Sequence, residues 1–233
     1  RTSVMRYQDT DMSLNEIAEE LNVANILDGS IQRTGNKIRV VGQLTEAKTN
    51  KNLWAETYDG DFNDIFSIQT NIAKEISTSL KLKFNKTERE DVEDKLTDNI
   101  EAYQYYLKGL DVLELLAHSI QDNRTKSIEM FSYAFDLDPE FSEAYAMASL
   151  SYSELVHYGI SRDEETINKA IELAEKAILL KPTSALAYFS RGYYYYACIR
   201  NYIKVLDDYN YALNRDPGNA EFNARMGWLY RRM

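Results

Sequence analysis

Few residues in this 233-residue chain could carry covalent or metal chemistry. His118 and His157 are its only histidines, and neither stands at a metal-ligating spacing from cysteine, histidine or carboxylate. Both are expected on a helix surface or loop edge. Cys198 is the single cysteine, so no internal disulfide can form, and its tyrosine-rich helical surroundings predict a buried, inert thiol. Asp136, Asp138 and Glu140 flank Pro139 but lack the glycine-centred loop and terminal glutamate of an EF-hand, which leaves a solvated turn. Gly29, Gly35 and Gly42 fit neither phosphate-cradling spacing, G-x-G-x-x-G or G-x-x-x-x-G-K-S/T. Asp28 beside Gly29 reads as a bulge or turn, and Trp54 near Glu56 as an amphipathic strand. No catalytic residue, metal site or cofactor is expected, so the chemistry to look for is recognition.

Charge narrows the partners. The net charge is −10; residues 1–86 carry 11 basic and 12 acidic residues, the remainder 16 and 25. Such a surface repels phosphate backbones, so no nucleic acid is expected to bind. No run of about eighteen apolar residues occurs, which predicts no membrane span and no direct membrane contact. The cytoplasm is the expected compartment, or the periplasm if a spanning segment lies upstream. The chain opens Arg1-Thr2-Ser3-Val4-Met5 and ends inside an amphipathic stretch, and is read as a piece of a longer protein.

The elements that would position a recognition surface announce themselves through proline. Proline lacks a backbone N–H and clashes with the preceding helical turn. The chain has 3, at Pro139, Pro182 and Pro217, each after an apolar helical stripe and before Ala/Tyr-rich sequence. Their spacings of 43 and 35 mark an internal repeat of helical hairpins. In the first unit Tyr105 and Gly109 belong to the first helix, and Ser127, Phe131, Ala134 and Pro139 to the second. The turn between them is stretched around Ser119–Asn123. In the second unit Tyr145, Ala148, Ser149 and Tyr152 precede Ala170, Ala174, Ala177 and Pro182, with extra length in Tyr158–Glu165. The third has Tyr188, Gly192 and Tyr195, then Tyr209, Ala212 and Pro217. Met226, Gly227 and Tyr230 open a fourth.

This register resembles the tetratricopeptide family, with two stretched turns as departures. The resemblance implies a superhelix over 99–233, about three and a half units, whose concave wall is made by first helices. Carried onto this sequence, the family's groove positions are Tyr103, Tyr106, Leu110 and Leu113; Glu143, Ala146, Leu150 and Ser153; Leu186, Phe189, Tyr193 and Tyr196; and Glu221, Ala224, Trp228 and Arg231. Tyr103, Tyr106, Leu110, Glu143, Leu150, Phe189, Tyr193, Tyr196 and Trp228 are the expected peptide-binding residues. Aromatics with isolated acids suit an apolar or basic peptide segment of a protein partner. The Lys and Asn of the two-carboxylate clamp are absent from these positions. The alternative is that the tyrosines partly pack against neighbouring repeats or the α/β unit. Met226, Trp228 and Leu229 have no following helix, which predicts either further sequence or self-association through the last repeat.

Residues 1–86 have a different rhythm. Val4, Met5 and Tyr7 suggest a short strand. Ser13 and Glu16 make a capping box ahead of a helix over Leu14–Leu21 that stops at Asn22. A strand-like run over Ile26–Arg33 turns through Thr34-Gly35-Asn36 into Lys37–Glu46, where Ile38, Val40 and Leu44 alternate with polar residues. A third strand, Leu53–Tyr58, follows the turn Thr49–Asn52. Asp61, Asn63 and Asp64 are candidate caps for a helix over Ile65–Leu82 with an Ile65, Ile68, Ile72, Ile76, Leu80 stripe. Thr87–Asp98 is a charged linker.

Arg1–Tyr7, Ser13–Leu21, Ile26–Ile31, Gln43–Thr45, Leu53–Tyr58 and Asp64–Phe66, in that order, resemble the TolB-like amino-terminal α/β domain of bacterial regulators. In that family the domain begins with a further strand and helix, continues into tetratricopeptide repeats, and lies downstream of a nucleotide cyclase, a Ser/Thr kinase or a winged-helix domain. The expected fold is thus α+β: a TolB-like α/β domain truncated at its N-terminus (1–86), a linker (87–98) and an all-α tetratricopeptide superhelix (99–233). The expected function is a non-catalytic interaction and regulatory module of a bacterial signalling protein. The alternative is the regulatory C-terminal region of an adenylate or guanylate cyclase, or of a kinase.

Overall fold

The computed structural model describes residues 7, 10–81, 95–114 and 119–233. The expected strand at Val4 and Met5, most of the linker and His118 lie outside these residues. Two compact units divide the chain, Arg1–Lys95 and Leu96–Met233.

In the first unit, α1 (Leu14–Leu21) starts as its sequence requires: Ser13 accepts from the Glu16 N–H at 3.3 Å while Glu16 accepts from the Ser13 N–H at 2.7 Å. Asn22 ends it in the left-handed conformation, φ 52°. Three strands follow, β1 (Asn25–Thr34), β2 (Lys37–Glu46) and β3 (Lys51–Asp61), in one antiparallel sheet with β2 central. Gly35 takes a positive φ of 61° and Asn36 does not, the pattern of a type II′ hairpin, so one glycine suffices for the turn. β3 begins two residues before the expected Leu53, because the turn is completed by Asn50 at φ 52°. After a single 3-10 turn (Phe62–Asp64), α2 runs over Ile65–Ser79. Ile38, Val40 and Leu44 of β2 and Ile65, Phe66 and Ile68 of α2 are buried, as are Ile17, Ala18 and Ala47. Glu75 of α2 accepts from both Trp54 Nε1 (2.7 Å) and the Tyr58 hydroxyl (2.8 Å) of β3. Burial and that carboxylate push the Tyr58 phenol up to about 12.

In the second unit the described residues form helices and their connections, with no strand among them. Its elements are α3 (Ile100–Glu114), α4 (Ile120–Leu137), α5 (Ser142–His157), α6 (Glu164–Leu180), α7 (Ala185–Tyr194), α8 (Tyr202–Arg215) and α9 (Ala220–Tyr230). The expected stretched turn around Ser119–Asn123 is a correction: Ser119 is the N-cap of α4, accepting from the Asp122 N–H at 3.1 Å, so helix begins at once. Asp163 does the same for α6, accepting from the Thr166 N–H at 2.8 Å, and these bonds with Ser161 hold its carboxyl down at about 2.

Small residues set the crossings. Ser142 and Ser149 of α5 donate to the Ala177 and Ala170 carbonyls of α6, at 3.0 and 2.7 Å. A methyl added to Gly109 of α3 would stand 2.5 Å from Phe131 of α4, and one on Gly192 of α7 would stand 2.6 Å from Tyr209 of α8. Each glycine therefore lets an aromatic ring of the next helix lie on its backbone. Gly227, ten residues beyond Pro217 as Gly192 is beyond Pro182, meets nothing within 4 Å. Pro139, Pro182 and Pro217 all stand between helices, as the repeat register demands.

Candidate functional site

The first helices of the hairpins, α3, α5, α7 and α9, carry the expected peptide-binding residues, and the structure treats those residues unequally. Tyr103 and Tyr106 are buried; the Tyr106 ring packs 5.7 Å from Phe131 and 5.0 Å from Phe141. Leu110 and Leu150 are partly buried. Phe189 is buried between Tyr209 (5.0 Å) and Phe222 (4.3 Å), in the core formed with Val205, Met226 and Leu229. Tyr193 is wholly buried, Tyr196 half-buried, and Trp228 is 49% exposed. The structure thus brings Tyr193, Tyr196 and Trp228 together at one end and seals the other rings into the array.

The acids behave differently from their sequence reading. Glu143 is buried and paired with Lys181 at 3.0 Å. Glu221 accepts from Arg225 Nε at 2.6 Å. The expectation of an apolar or basic segment came from aromatics with isolated acids, and these two acids are not isolated. Both are already neutralised, so the chemistry left over at this end of the wall is aromatic and cationic.

His157, Tyr196, Arg225, Trp228, Arg231 and Arg232 line a pocket of about 250 Å³. Its walls are layered. The Arg225 guanidinium lies 4.5 Å from the Tyr193 ring and 5.0 Å from the Trp228 ring. The Arg232 guanidinium sits 5.4 Å from Tyr196, whose ring stacks on His157 at 5.8 Å. Such cation–ring contacts fix a planar guanidinium while leaving its edge free to donate. Arg225 is anchored from behind: it also reaches Glu154 of α5 at 3.3 Å, and Glu154 is paired on its other oxygen with Arg124 of α4. One carboxylate therefore joins helices from three hairpins, with all three side chains only 12–15% exposed. Burial works against the Arg225 charge, but Tyr193, Glu221 and Glu154 outweigh it and hold the group above its ordinary range. His157 is shifted down, first by burial and then by Arg225 and Arg232, so its imidazole is neutral near pH 7.

Tyr196 itself lies in a backbone irregularity. Helix α7 continues into a π turn, Tyr195–Ile199, that ends at Arg200 with φ 56°. A π turn widens the helix by one residue and rotates the side chains beyond it. Stretches of tyrosine carry no signal for it. Arg225 and Arg232 were also missed, since the groove register selects Glu221, Ala224, Trp228 and Arg231. The i, i+4, i+7, i+11 stripe Glu221, Arg225, Trp228, Arg232 would have found them.

Elsewhere, a larger open cleft of about 620 Å³ in the first unit is lined by Asn15, Glu19, Asn22, Glu46, Lys48 and small apolar residues, without a converging reactive set. Among the described residues no group of three or more His, Cys, Asp or Glu could hold a metal ion. The Cys198 thiol is pushed up to about 11 by burial and stays protonated at neutral pH. No described helix is long and apolar enough to cross a membrane.

No model of a known protein family matches the chain. It is 26% identical over 216 residues to a protein described as "Putative adenylate cyclase 3" from Rhizobium meliloti (strain 1021), a match that covers 91% of this chain and 35% of that protein. The chain thus spans about a third of that relative's length. Among solved structures it is similar to "First TPR of Spaghetti (RPAP3) bound to HSP90 peptide SRMEEVD" (18% identity, TM-score 0.44, 57% of this chain and 94% of that one). It is likewise similar to "Arabidopsis OM64 TPR domain" (18%, TM-score 0.44, 57% and 97%).

Proposed function

We propose that this chain is an interaction and regulatory module of a bacterial signalling protein, in which a TolB-like α/β unit over 1–86 precedes a tetratricopeptide superhelix that holds a protein or peptide segment in its concave groove. The observation that carries this reading is the aromatic end of the first-helix wall, where Trp228 is 49% exposed beside the half-buried Tyr196 while Tyr103, Tyr106 and Phe189 are buried. Large rigid rings lose little entropy on binding and are effective anchors. In this reading Phe189 and Tyr193 support that end from within, Tyr103, Tyr106 and Glu143 are packed elsewhere along the wall, and Leu110 and Leu150, partly buried, extend the contact surface. Pull-down from a bacterial lysate tests it. The wild-type chain is expected to retain a partner that Tyr196→Ala/Trp228→Ala loses; equal retention by both overturns groove binding.

A second reading is favoured by the extended match to the cyclase relative: the module is the C-terminal control region of an adenylate or guanylate cyclase. Fused to its natural upstream sequence, the same double variant then changes cyclic nucleotide output. Unchanged output with a cyclase domain attached overturns that reading and leaves the first standing.

A further inference from the structure

Residues 87–233 carry 16 basic and 25 acidic residues, yet the pocket lining at the end of the wall contains three arginines, a histidine, two aromatic rings and no carboxylate. Glu221 and Glu154 are both held by the lining residue Arg225, and Glu154 by Arg124 as well. Among the described residues, Arg231 and Arg232 have no acidic partner. Both are exposed, and the Arg232 guanidinium lies over Tyr196.

We propose that the pocket formed by His157, Tyr196, Arg225, Trp228, Arg231 and Arg232 is the seat for an acidic peptide segment, in which Asp or Glu carboxylates meet Arg231 and Arg232 while a neighbouring apolar side chain lies on Trp228. The proposal rests on the groove reading above and names the chemistry of its ligand. A guanidinium steadied over a ring offers parallel N–H donors to a carboxylate, a pairing stronger than a neutral hydrogen bond. Bare anions use the arginines but leave the 49% exposed Trp228 unsatisfied, which is the part of the surface that asks for a side chain. A nucleic acid fits worse than a short peptide. Its long run of phosphates meets the acidic remainder of the surface, whereas a few carboxylates feel mainly the pocket within a Debye length of about 10 Å. The neutral His157 adds a further donor when an anion nearby favours its protonation.

The test uses the whole chain with Trp54→Phe, which leaves Trp228 as the sole tryptophan reporter. A displayed library of random dodecapeptides is selected on this protein, and the winning consensus is synthesised and titrated by Trp228 fluorescence. Expected winners are rich in Asp and Glu beside an aromatic or branched residue. Their affinity is expected to fall at least about tenfold in Arg231→Glu/Arg232→Glu, two exposed positions whose reversal leaves the helical circular dichroism unchanged. Winners that are apolar or Lys/Arg-rich, and that bind the double variant equally, overturn the acidic ligand but leave groove binding intact. A library that yields no binder overturns the groove reading itself. If inorganic phosphate or a single-stranded oligonucleotide quenches Trp228 as strongly as the selected peptide, the seat is for phosphate and the peptide assignment falls.

Discussion

The two ends of the first-helix wall start from the same residue classes and finish differently. At the α3–α5 end, Tyr106 is enclosed by Phe131 and Phe141, and Glu143 is neutralised by Lys181. At the α7–α9 end, Trp228 stands half in solvent above an arginine, and Arg231 and Arg232 carry unmatched charge. Residue type does not make the difference. What lies against each position does, and the glycines show that it varies even within the α7–α9 end: Gly192, like Gly109, bears an aromatic ring, while Gly227 faces open space. In a repeat array a register position is core or surface according to its neighbour, so a groove residue named by register alone is only half specified.

The comparison can be broken in several places. The largest effect is expected at Glu154, whose removal leaves Arg124 and Arg225 without their shared carboxylate in a mostly buried setting. Glu154→Ala should cost about 3 kcal/mol in denaturant unfolding of the helical unit. A loss below about 1 kcal/mol, the range of exposed pairs, would mean that solvent already screens the trio and that the open end is not braced. Next comes Gly192→Ala, where the new methyl must displace Tyr209; a loss of about 1–3 kcal/mol is expected by urea melting. Gly227→Ala sharpens the contrast by reversing the sign. With no neighbour to meet and a helical backbone to favour, it should gain up to about 1 kcal/mol. Equal losses at both glycines would mean that Gly227 is packed as closely as Gly192 after all.

The smallest effect concerns His157, which faces Arg225 and Arg232 and the rings of Tyr158, Tyr193 and Tyr196. Its folded value lies below the ordinary 6.5, so the unfolded chain binds the proton more readily. The stabilisation is complete above about 6.5 and is lost as pH falls through the folded value. Thermal melts from pH 7.5 to 5.5 should therefore show a steeper decline in the wild type than in His157→Phe. Saturating acidic peptide should flatten the difference, because an anion in the pocket raises the imidazole again.

Local rules made much of the fold legible. The Ser13/Glu16 box, the β2 alternation and the proline stops are short-range signals, and the helix, strand and breaks lie where they indicate. Ser119 shows the limit of register arithmetic: excess length between Gly109 and Ser127 was assigned to a turn, when a local N-cap signal already marked the start of α4. The pocket was legible only in part. Tyr196 and Trp228 lay on the expected wall, but the π turn that holds Tyr196 has no periodicity to read. The Glu154–Arg225 contact joins residues 71 apart, beyond any local rule. Which carboxylates are paired is equally hidden from a register, since Glu143 meets Lys181 38 residues away.

Repeat proteins grow and shrink in evolution by copying whole hairpins. The Glu154 trio restricts that freedom here. Its members sit on α4, α5 and α9, so an added or deleted hairpin between α5 and α9 would strand one carboxylate or one arginine inside the array. The stretch from Arg124 to Arg225 should thus be inherited as a block of fixed length. Variation in repeat number would fall outside it, and alignments of related chains should show Arg124, Glu154 and Arg225 appearing and disappearing together.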